Sequence, residues 1–286
     1  MKPAPFDYLA PTNLEGVLDA LASDREVKVL AGGQSLIPVM NLRMGHPEVL
    51  VDVSRIEALR GIAVDADGAL HVGAGVRQAT VLDDVRVRER WPLLTAALSF
   101  IGHPQIRSRG TVCGSIAHAD SAAELPAAAL ALGATIVAVS RRGERHICAD
   151  DFFLAPFTTA LDDDELVTEV IFPAAPSGWA FDEFATRRGD FATAGVGVAI
   201  DGDADGVRSC RIALFGVAGT AVRCPDAEAA LVGTAVDEAA VAAAVATGTA
   251  GLHPPDDIHA TGAYRVEIAG RLLSTAIATA WERCHD

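Results

Sequence analysis

The sequence predicts an α+β protein built from three consecutive units. Helix and strand signals alternate in residues 1–55, which is typical of a small α/β layer. Residues 56–176 combine a predicted hairpin with several helices, and a proline-containing linker at 173–178 ends this unit. Residues 177–286 contain two apolar runs that predict an antiparallel pair of strands, and alanine-rich helices follow them.

In the first unit, Thr12 or Asn13 can cap a helix that begins at residue 14, because apolar side chains then recur at the helical period. Gly32 and Gly33 predict a turn between a strand and a second helix. The remaining predicted elements are a short buried strand at 27–30, a helix at 36–44 and a strand at 49–53.

The second unit should open with a hairpin, since apolar strands flank the turn residues 65–68. Residues 110–117 contain Gly110 and Gly114 and predict a turn rather than a regular element. An acidic run at 162–165 predicts a solvated turn before another strand. The other expected elements are strands at 62–64, 70–73 and 135–139, helices at 78–85, 92–99 and 126–132, and a basic turn at 141–145.

The third unit is expected to pair its two strands across the polar turn 201–206. Glycine pairs at 73–75 and 195–197 lack the third glycine of a dinucleotide-binding fingerprint, and we expect both pairs at strand ends. The predicted elements are strands at 194–200 and 209–216 and helices at 227–231, 237–247 and 263–281, the last with Val266, Leu273 and Ile277 on one face.

The composition excludes several classes of partner. The 286 residues carry 23 basic and 38 acidic side chains, a formal charge of −15, so nucleic acid and anionic membrane surfaces are poor partners. No window reaches the ~20 apolar residues of a membrane span. The N-terminus has proline and aspartate where a signal peptide needs an apolar run. We therefore expect a cytoplasmic protein without a membrane span.

The cysteines predict reduced thiols rather than a metal site, because they are scattered and form no C-x-x-C pair. The histidines at 253 and 259 flank two prolines, which favours a polar loop over a metal site. We therefore expect no metal bound by this chain. The five cysteines are Cys113, Cys148, Cys210, Cys224 and Cys284.

Two segments contain candidate binding residues. In the first, residues 31–35, two glycines connect a strand to a helix, so backbone amides are free to approach anionic phosphate oxygens. A tight turn with Ser35 as N-cap explains this segment equally well.

The second segment runs from Arg109 to Asp120 and places Thr111, Ser115 and His118 around a turn at Gly114. By itself it also fits an irregular polar loop. The two segments are more informative together, because a dinucleotide is long enough to need both.

These segments resemble those of the FAD-binding subunits of molybdenum hydroxylases, especially the medium subunit of carbon monoxide dehydrogenase and its xanthine, aldehyde and N-heterocycle dehydrogenase relatives. The resemblance extends from about Pro5 to the C-terminus in one register. The matching motifs are Phe6-Asp7-Tyr8, residues 31–35, residues 106–120, Glu165-Leu166 before Phe172-Pro173, residues 187–192 and Ala263-Tyr264-Arg265.

The resemblance implies a two-subdomain FAD-binding fold of the vanillyl-alcohol oxidase (PCMH) type, followed by a C-terminal three-stranded antiparallel sheet with helices. Residues 1–55 and 56–176 would be the two subdomains, and residues 177–286 the C-terminal domain. FAD would be bound non-covalently, with its pyrophosphate at residues 31–35 and 111–115 and its isoalloxazine near Leu166 and Arg188. The implied cofactor-binding residues are Leu30, Ala31, Gly32, Gly33, Gln34, Ser35, Leu36, Ile101, Thr111, Val112, Cys113, Gly114, Ser115, His118, Asp120, Glu124, Leu166 and Arg188.

Two positions depart from the family pattern. Cys113 precedes Gly114 where the family commonly has a glycine pair, and a positive φ at Cys113 would strain it. A small buried filler is the favoured role for this cysteine. Ser121 stands where a proline is frequent, and we expect it to loosen the turn.

In this family, electrons pass from a molybdopterin large subunit through a 2Fe–2S small subunit to FAD, and then to NAD, a quinone or oxygen. The resemblance thus implies a heterotrimer, as a dimer of heterotrimers, in which this chain contributes no catalytic residue. The alternatives are a self-sufficient FAD-dependent oxidase or dehydrogenase and an assembly subunit without flavin. The small third unit argues against the first alternative, and the two glycine segments argue against the second.

Overall fold

The structure is a computed structural model that describes residues 2–285, and its combination of helices and sheets confirms the α+β class. Three main sheets follow one another along the chain, and a two-stranded hairpin accompanies the second.

The first sheet is small and parallel. Its elements are β1 (Asp7–Leu9), α1 (Leu14–Leu21), β2 (Val27–Leu30), α2 (Leu36–Asn41), β3 (Val49–Asp52) and a 3-10 helix (Glu57–Leu59). The strand order is β1-β3-β2. Strand β2 was predicted to be buried but is mostly half-buried, because it lies at the edge and only β3 covers it. Strand β1 was not predicted, since its three residues are all exposed and show no apolar alternation.

Capping determines the helix ends in this unit. Asn13, rather than Thr12, caps α1, and its side-chain oxygen accepts a hydrogen bond from the Gly16 amide at 3.0 Å. Helix α2 ends before the predicted residue 44, because Arg43 adopts a left-handed φ of 59° that no helix can continue.

The second sheet is antiparallel, in the order β4-β5-β10-β6-β7, and most helices of its unit share one hydrophobic core with it. Its elements are β4 (Ile62–Val64), β5 (Leu70–Gly73), α3 (Gln78–Asp83), α4 (Val85–Arg90), α5 (Pro92–Phe100), α6 (Pro104–Arg107), α7 (Val112–His118), α8 (Glu124–Leu132), β6 (Thr135–Ser140), β7 (Gly143–Cys148), α9 (Ala149–Phe152), β8 (Phe153–Ala155), β9 (Thr158–Thr159) and β10 (Leu166–Phe172). The predicted basic turn at 141–145 was too long, since β7 begins at Gly143 and pairs with β6.

Residues 110–117 do not form the turn that their glycines predicted. They enter helix α7, which Thr111 caps by accepting a hydrogen bond from the Gly114 amide at 3.0 Å. A Cβ at Gly114 would lie 2.6 Å from the capping oxygen of Thr111. Glycine is therefore required here by the cap geometry and not by a turn.

The acidic run at 162–165 is not fully solvated, contrary to the prediction. Glu165 is buried, and its carboxylate accepts two hydrogen bonds of 2.6 Å from the Arg145 guanidinium. These bonds lower the pKa of Glu165. The local sequence concealed this burial because Arg145 belongs to another strand, β7.

The third sheet contains the three expected long strands and one short additional strand, in the order β11-β12-β13-β14. Its elements are β11 (Gly178–Phe184), β12 (Ala194–Asp203), β13 (Gly206–Phe215), β14 (Val222–Arg223), α10 (Pro225–Leu231), α11 (Glu238–Thr249) and α12 (Gly262–Arg283). One face packs on α12, where Leu273 and Ile277 are fully buried as predicted and Val266 is half-buried.

The other face of this sheet packs on α8, which is buried along its whole length. Its alanines allow β12 to approach closely, and a Cβ at Gly197 would lie 3.2 Å from the Ala131 Cβ. The ring of Phe215 fills the space above Gly195. The pair Gly195 and Gly197 lies in the first four residues of β12, near the strand end as predicted, and these neighbours leave no room for side chains there.

A histidine bridges two carboxylates on the second sheet. His71 lies 2.9 Å from Glu169 through Nδ1 and 3.0 Å from Asp65 through Nε2. The hydrogen bond with Asp65 is the main cause that raises the pKa of His71. Burial opposes this rise, but the hydrogen bond with Glu169 and the charges of both carboxylates add to it, so the pKa is raised overall. The imidazolium is thus favoured in the folded state.

We expect Gly195→Ala to destabilise the protein by about 1–3 kcal/mol, because the added Cβ overlaps the Phe215 ring. Urea unfolding followed by circular dichroism measures the change. Gly61→Ala is the matched control, since no atom lies within 4 Å of a Cβ built there. Equal stability of the two variants would contradict the packing argument.

We expect the stabilisation by His71 to decrease with rising pH. A raised folded pKa means that the contribution is complete below about pH 6.5, the unfolded value, and is lost as the pH passes the folded pKa. The difference in unfolding free energy between wild type and His71→Gln should therefore be larger at pH 6 than at pH 9. His146→Gln removes an exposed histidine with a single carboxylate contact and serves as control. A difference that grows with pH would refute the assignment.

Candidate functional site

The two glycine segments lie side by side in the fold. A Cβ at Gly32 would lie 2.5 Å from the Arg109 carbonyl oxygen and 2.6 Å from the Gly110 Cα. The position of a Cβ at Gly114 is 3.6 Å from the Ala31 Cβ. Segments from two different sheets thus form the walls of one cleft, and Gly32 is required by contact between the two backbones.

The first segment presents unpaired donors. Gly33 has a left-handed φ of 71°. Among residues 2–285, no hydrogen bond is donated by the amides of residues 32–35. The Ser35 hydroxyl does not cap α2, contrary to the simple N-cap interpretation. This set of free amides and a free hydroxyl suits an anionic group with several oxygens, such as a phosphate.

A cavity of about 330 Å³ lies beside this segment. Two arginines line it, Arg77 and Arg109, and the Arg77 guanidinium donates a hydrogen bond to the Arg109 carbonyl. Burial lowers the pKa of Arg77, yet a guanidinium remains cationic at neutral pH. The positive charge complements the free amides, so the donor set as a whole fits the pyrophosphate of a dinucleotide. The lining residues are Leu30, Ala31, Gly32, Gly33, Gln34, Ile37, Pro38, Asn41, Asp52, Ser54, Arg77 and Arg109.

A carboxylate, that of Asp52, also lines this cavity. Burial opposes ionisation of Asp52, but hydrogen bonds from the Tyr8 hydroxyl and the Ser54 amide prevail and lower the pKa of Asp52. Asp52 is therefore an ionised acceptor for hydroxyl groups. Sequence reasoning missed Asp52 and Arg77. Both reach the cavity only through long-range pairing, Asp52 at the end of β3 and Arg77 in a bridge with Thr111.

Helix α7 forms the second wall. Val112 and Cys113 are buried in the core, so only their backbone can face the cleft. The Cys113 thiol donates a hydrogen bond to the Val72 carbonyl at 3.4 Å, and burial raises the pKa of Cys113. Cys113 has no positive φ. Its predicted role as a small buried filler is confirmed.

Three predicted residues lie between the last residue of α7 and the first residue of α8. Burial lowers the pKa of His118, whose ring packs 5.1 Å from the Phe157 ring. Glu124 begins α8, and burial raises its pKa to about 8. The Asp120 carboxylate accepts a hydrogen bond from the Ala122 amide at 2.9 Å. Negative charge on Asp120 favours the protonated forms of both neighbours.

Ser121 ties this turn to the third sheet. Its carbonyl oxygen accepts a hydrogen bond from the Gly216 amide at 2.8 Å. The Ala123 amide closes the turn on the Asp120 carbonyl at 3.2 Å. These two hydrogen bonds hold the turn at Ser121 in place, whereas we expected the serine to loosen this turn.

Arg188 lies apart from the first cavity. It lines a second cavity of about 380 Å³ with Arg187, Ser99, Phe100, Glu183 and Ala185. Ile101 follows α5 and accepts a hydrogen bond from Arg107 at 2.7 Å through its carbonyl. Leu166 is buried opposite Val139 in the second sheet and lines neither cavity. Ser35 is the N-cap residue of α2 and Leu36 is its first residue. Both come directly after the segment that lines the first cavity, and neither is among its lining residues.

Two classes of feature are absent from residues 2–285. No group of three or more His, Cys, Asp or Glu side chains has an arrangement that could hold a metal ion. No helix in the described part of the chain is long and apolar enough to cross a membrane.

Comparison with known proteins agrees with the cleft geometry. Residues 4–175 match the FAD binding domain in molybdopterin dehydrogenase, and residues 179–280 match the CO dehydrogenase flavoprotein C-terminal domain. The chain is 38% identical to the 6-hydroxypseudooxynicotine dehydrogenase complex subunit alpha of Paenarthrobacter nicotinovorans, over 99% of this chain and 97% of that relative. It is 37% identical to the carbon monoxide dehydrogenase medium chain of Hydrogenophaga pseudoflava, over 99% of this chain and 100% of that relative.

A solved structure extends this similarity to three dimensions. Carbon monoxide dehydrogenase from Hydrogenophaga pseudoflava, in a form which lacks the Mo-pyranopterin moiety of the molybdenum cofactor, contains a chain that matches with a TM-score of 0.96 and 38% identity. The match covers 99% of this chain and 100% of that chain. The predicted FAD-binding fold is thereby confirmed. This chain belongs to the family of FAD-binding medium subunits of molybdenum hydroxylase-type dehydrogenase complexes, as its motifs predicted.

Proposed function

We propose that this chain holds FAD non-covalently in the cleft between residues 31–35 and 109–115 and passes electrons through it. The electrons would come from a 2Fe–2S small subunit, reduced in turn by a molybdopterin large subunit, and would leave to NAD, a quinone or oxygen. The observation that supports this most directly is the meeting of both glycine segments in one cleft lined by free amides and two arginines.

The chain's own residues would position the cofactor. The amides of residues 32–35, the Ser35 hydroxyl and the guanidiniums of Arg77 and Arg109 would hold the pyrophosphate oxygens. The Asp52 carboxylate can accept hydrogen bonds from sugar hydroxyls. Bound FAD would supply the electron-transfer chemistry. The Cys113 thiol faces the core rather than the cleft, which supports non-covalent binding.

Substrate selection is proposed to lie outside this chain. Two relatives of nearly equal identity, 38% and 37%, bear the names of a nicotine derivative and of carbon monoxide. Because equally similar chains belong to complexes named for such different substrates, this subunit is better explained as a shared electron carrier. The turn at 187–191 is a suitable contact for the partner that delivers electrons, because Phe191 is 71% exposed and the turn carries two free arginines.

We expect Gly32→Ala to weaken FAD binding at least about tenfold, because its Cβ forces the Arg109–Gly110 backbone away and opens the cleft. Titration of the flavin-free chain with FAD, followed by flavin fluorescence, measures the affinity. Gly45→Ala is the matched control, since its Cβ makes an ordinary 3.5 Å contact with Val39. Wild-type affinity in the Gly32 variant, with an unchanged circular dichroism spectrum, would contradict the proposed cleft.

We expect an external acceptor to reoxidise the isolated flavoprotein after it has been reduced chemically. The oxidised flavoprotein should stay oxidised when only an organic substrate is added. Substrate should bleach the flavin absorbance only after the iron–sulfur and molybdopterin subunits are added. A complex reconstituted with flavin-free chain is the control and should not transfer electrons to the acceptor. Substrate oxidation by the isolated chain at the rate of the complex would favour the self-sufficient oxidase. Full turnover by the flavin-free complex would favour an assembly role.

A further inference from the structure

On the third sheet, one oxygen of a half-buried carboxyl group lacks a hydrogen-bond partner. Glu183 lies near the end of β11, and its Oε2 atom is inaccessible to solvent and unpaired among residues 2–285. A buried acceptor without a donor is unfavourable and is uncommon in folded proteins. Asp182, the preceding residue, points to solvent, as the alternation of a strand requires.

The cavity beside Glu183 could admit a ligand that completes this pairing. Its volume of about 380 Å³ exceeds the space of several water molecules, and Phe100 supplies an apolar wall. Arg187 and Arg188 stand at the exposed side, and neither guanidinium forms an ion pair or hydrogen bond within the described chain. The cavity therefore combines an aromatic side chain, an unpaired carboxyl group and free cations.

Helix α7 relates this cavity to the proposed pyrophosphate cleft. The helix has seven residues and spans about 10 Å, and its first turn borders the cleft. Its far end leads through Asp120 to Glu124. Negative charge on Glu183 contributes to the raised pKa of Glu124, so the two carboxyl groups are neighbours. A dinucleotide anchored at the near end of α7 and lying along the helix would extend toward Glu124 and its neighbour Glu183.

We propose that Glu183 is an additional flavin-site residue whose carboxyl group faces the ring system of bound FAD and makes the flavin reduction potential depend on its protonation. This inference requires the proposed function, since it assumes that FAD occupies the cleft. Glu183 acts here as a positioning and tuning residue and transfers no electrons itself.

The environment of Glu183 sets the pH range of the effect. Burial, followed by the charge of Asp182, raises the pKa of Glu183 to about 7. The other charged or titratable groups around it are Glu124, Asp120, Arg187, Arg188 and His103, the last in contact with Gly189 of the same turn.

The sign of the effect follows from charge. Reduction adds electrons to the ring, and an ionised carboxylate nearby opposes that gain. Above the pKa of Glu183 the flavin should therefore be harder to reduce, whereas a protonated carboxyl group leaves it unaffected. Because reduction also raises the pKa of Glu183, the potential should fall more steeply with pH just above neutrality than it would without this side chain.

The experiment compares the FAD-loaded wild-type chain with Glu183→Gln by spectroelectrochemical titration between pH 5.5 and 9. At pH 9 and a fixed applied potential, the ratio of reduced to oxidised flavin should be about tenfold higher in the variant, which corresponds to one pKa unit of coupling. At pH 5.5 the two proteins should agree. Asp182→Asn removes the exposed neighbour on the same strand but keeps Glu183, so it should retain the additional pH dependence, shifted to lower pH because the charge of Asp182 helps raise the pKa of Glu183.

Glu183→Asp provides a second test, because it retains a titratable group and should keep the additional pH dependence even if Glu183→Gln binds flavin poorly. The proposal is overturned if the Gln variant has the wild-type pH profile, or if the Asp variant lacks the additional slope while binding FAD. A wild-type chain that binds no FAD would overturn the proposed function first, and flavin absorbance distinguishes that outcome before any potential is measured.

Discussion

The close contact between Gly32 and the Arg109–Gly110 backbone is the constraint on which the binding cleft depends. It joins a loop of the first sheet to the segment that caps α7 in the second unit. Any side chain at Gly32 would separate these backbones and with them the free amides, Arg77 and Arg109. Arg77 reaches the cleft at this place because its backbone forms a β-bridge with Thr111. Its guanidinium then donates a hydrogen bond to the Arg109 carbonyl.

The position of the third sheet depends on α8. This helix consists mainly of alanine and leucine and is buried on all sides. It therefore packs in a core that includes residues of both the second sheet and β12. An ionic network supports the contact, in which Asp150 of α9 accepts hydrogen bonds from Arg211 and Arg223 of the third sheet. This arrangement brings Glu183 of β11 close to Glu124, the first residue of α8. The second cavity lies between Glu183, the end of α5 and the turn that follows β11.

Both cavities carry cationic side chains, although the net charge of the chain is strongly negative. The chain has a formal charge of −15, yet arginines line both cavities. The electrostatic field at an anionic ligand is determined by these nearby cations, because more distant surface carboxylates are screened over about 10 Å by salt. A strongly acidic protein can therefore bind a doubly charged pyrophosphate.

The sequence by itself determined the fold class, most of the helices and strands, the family and the two glycine segments. Apolar periodicity, capping by Asn13 and the turn glycines are local properties, and the strands and helices that they specify form wherever their apolar faces can be buried. The long helix α12 and the paired strands β12 and β13 illustrate this, because each has enough residues to display its period clearly.

Tertiary structure alone decided the roles of residues whose partners are distant in the chain. Gly195 proved to be a packing position, because the ring of Phe215 on the neighbouring strand excludes a side chain there. Asp52 and Arg77 join the cleft through strand pairing, and Glu165 is buried by a cation on another strand. The unpaired carboxyl group of Glu183 is likewise invisible in the sequence, since burial without a partner is a property of the packed molecule and not of any local pattern.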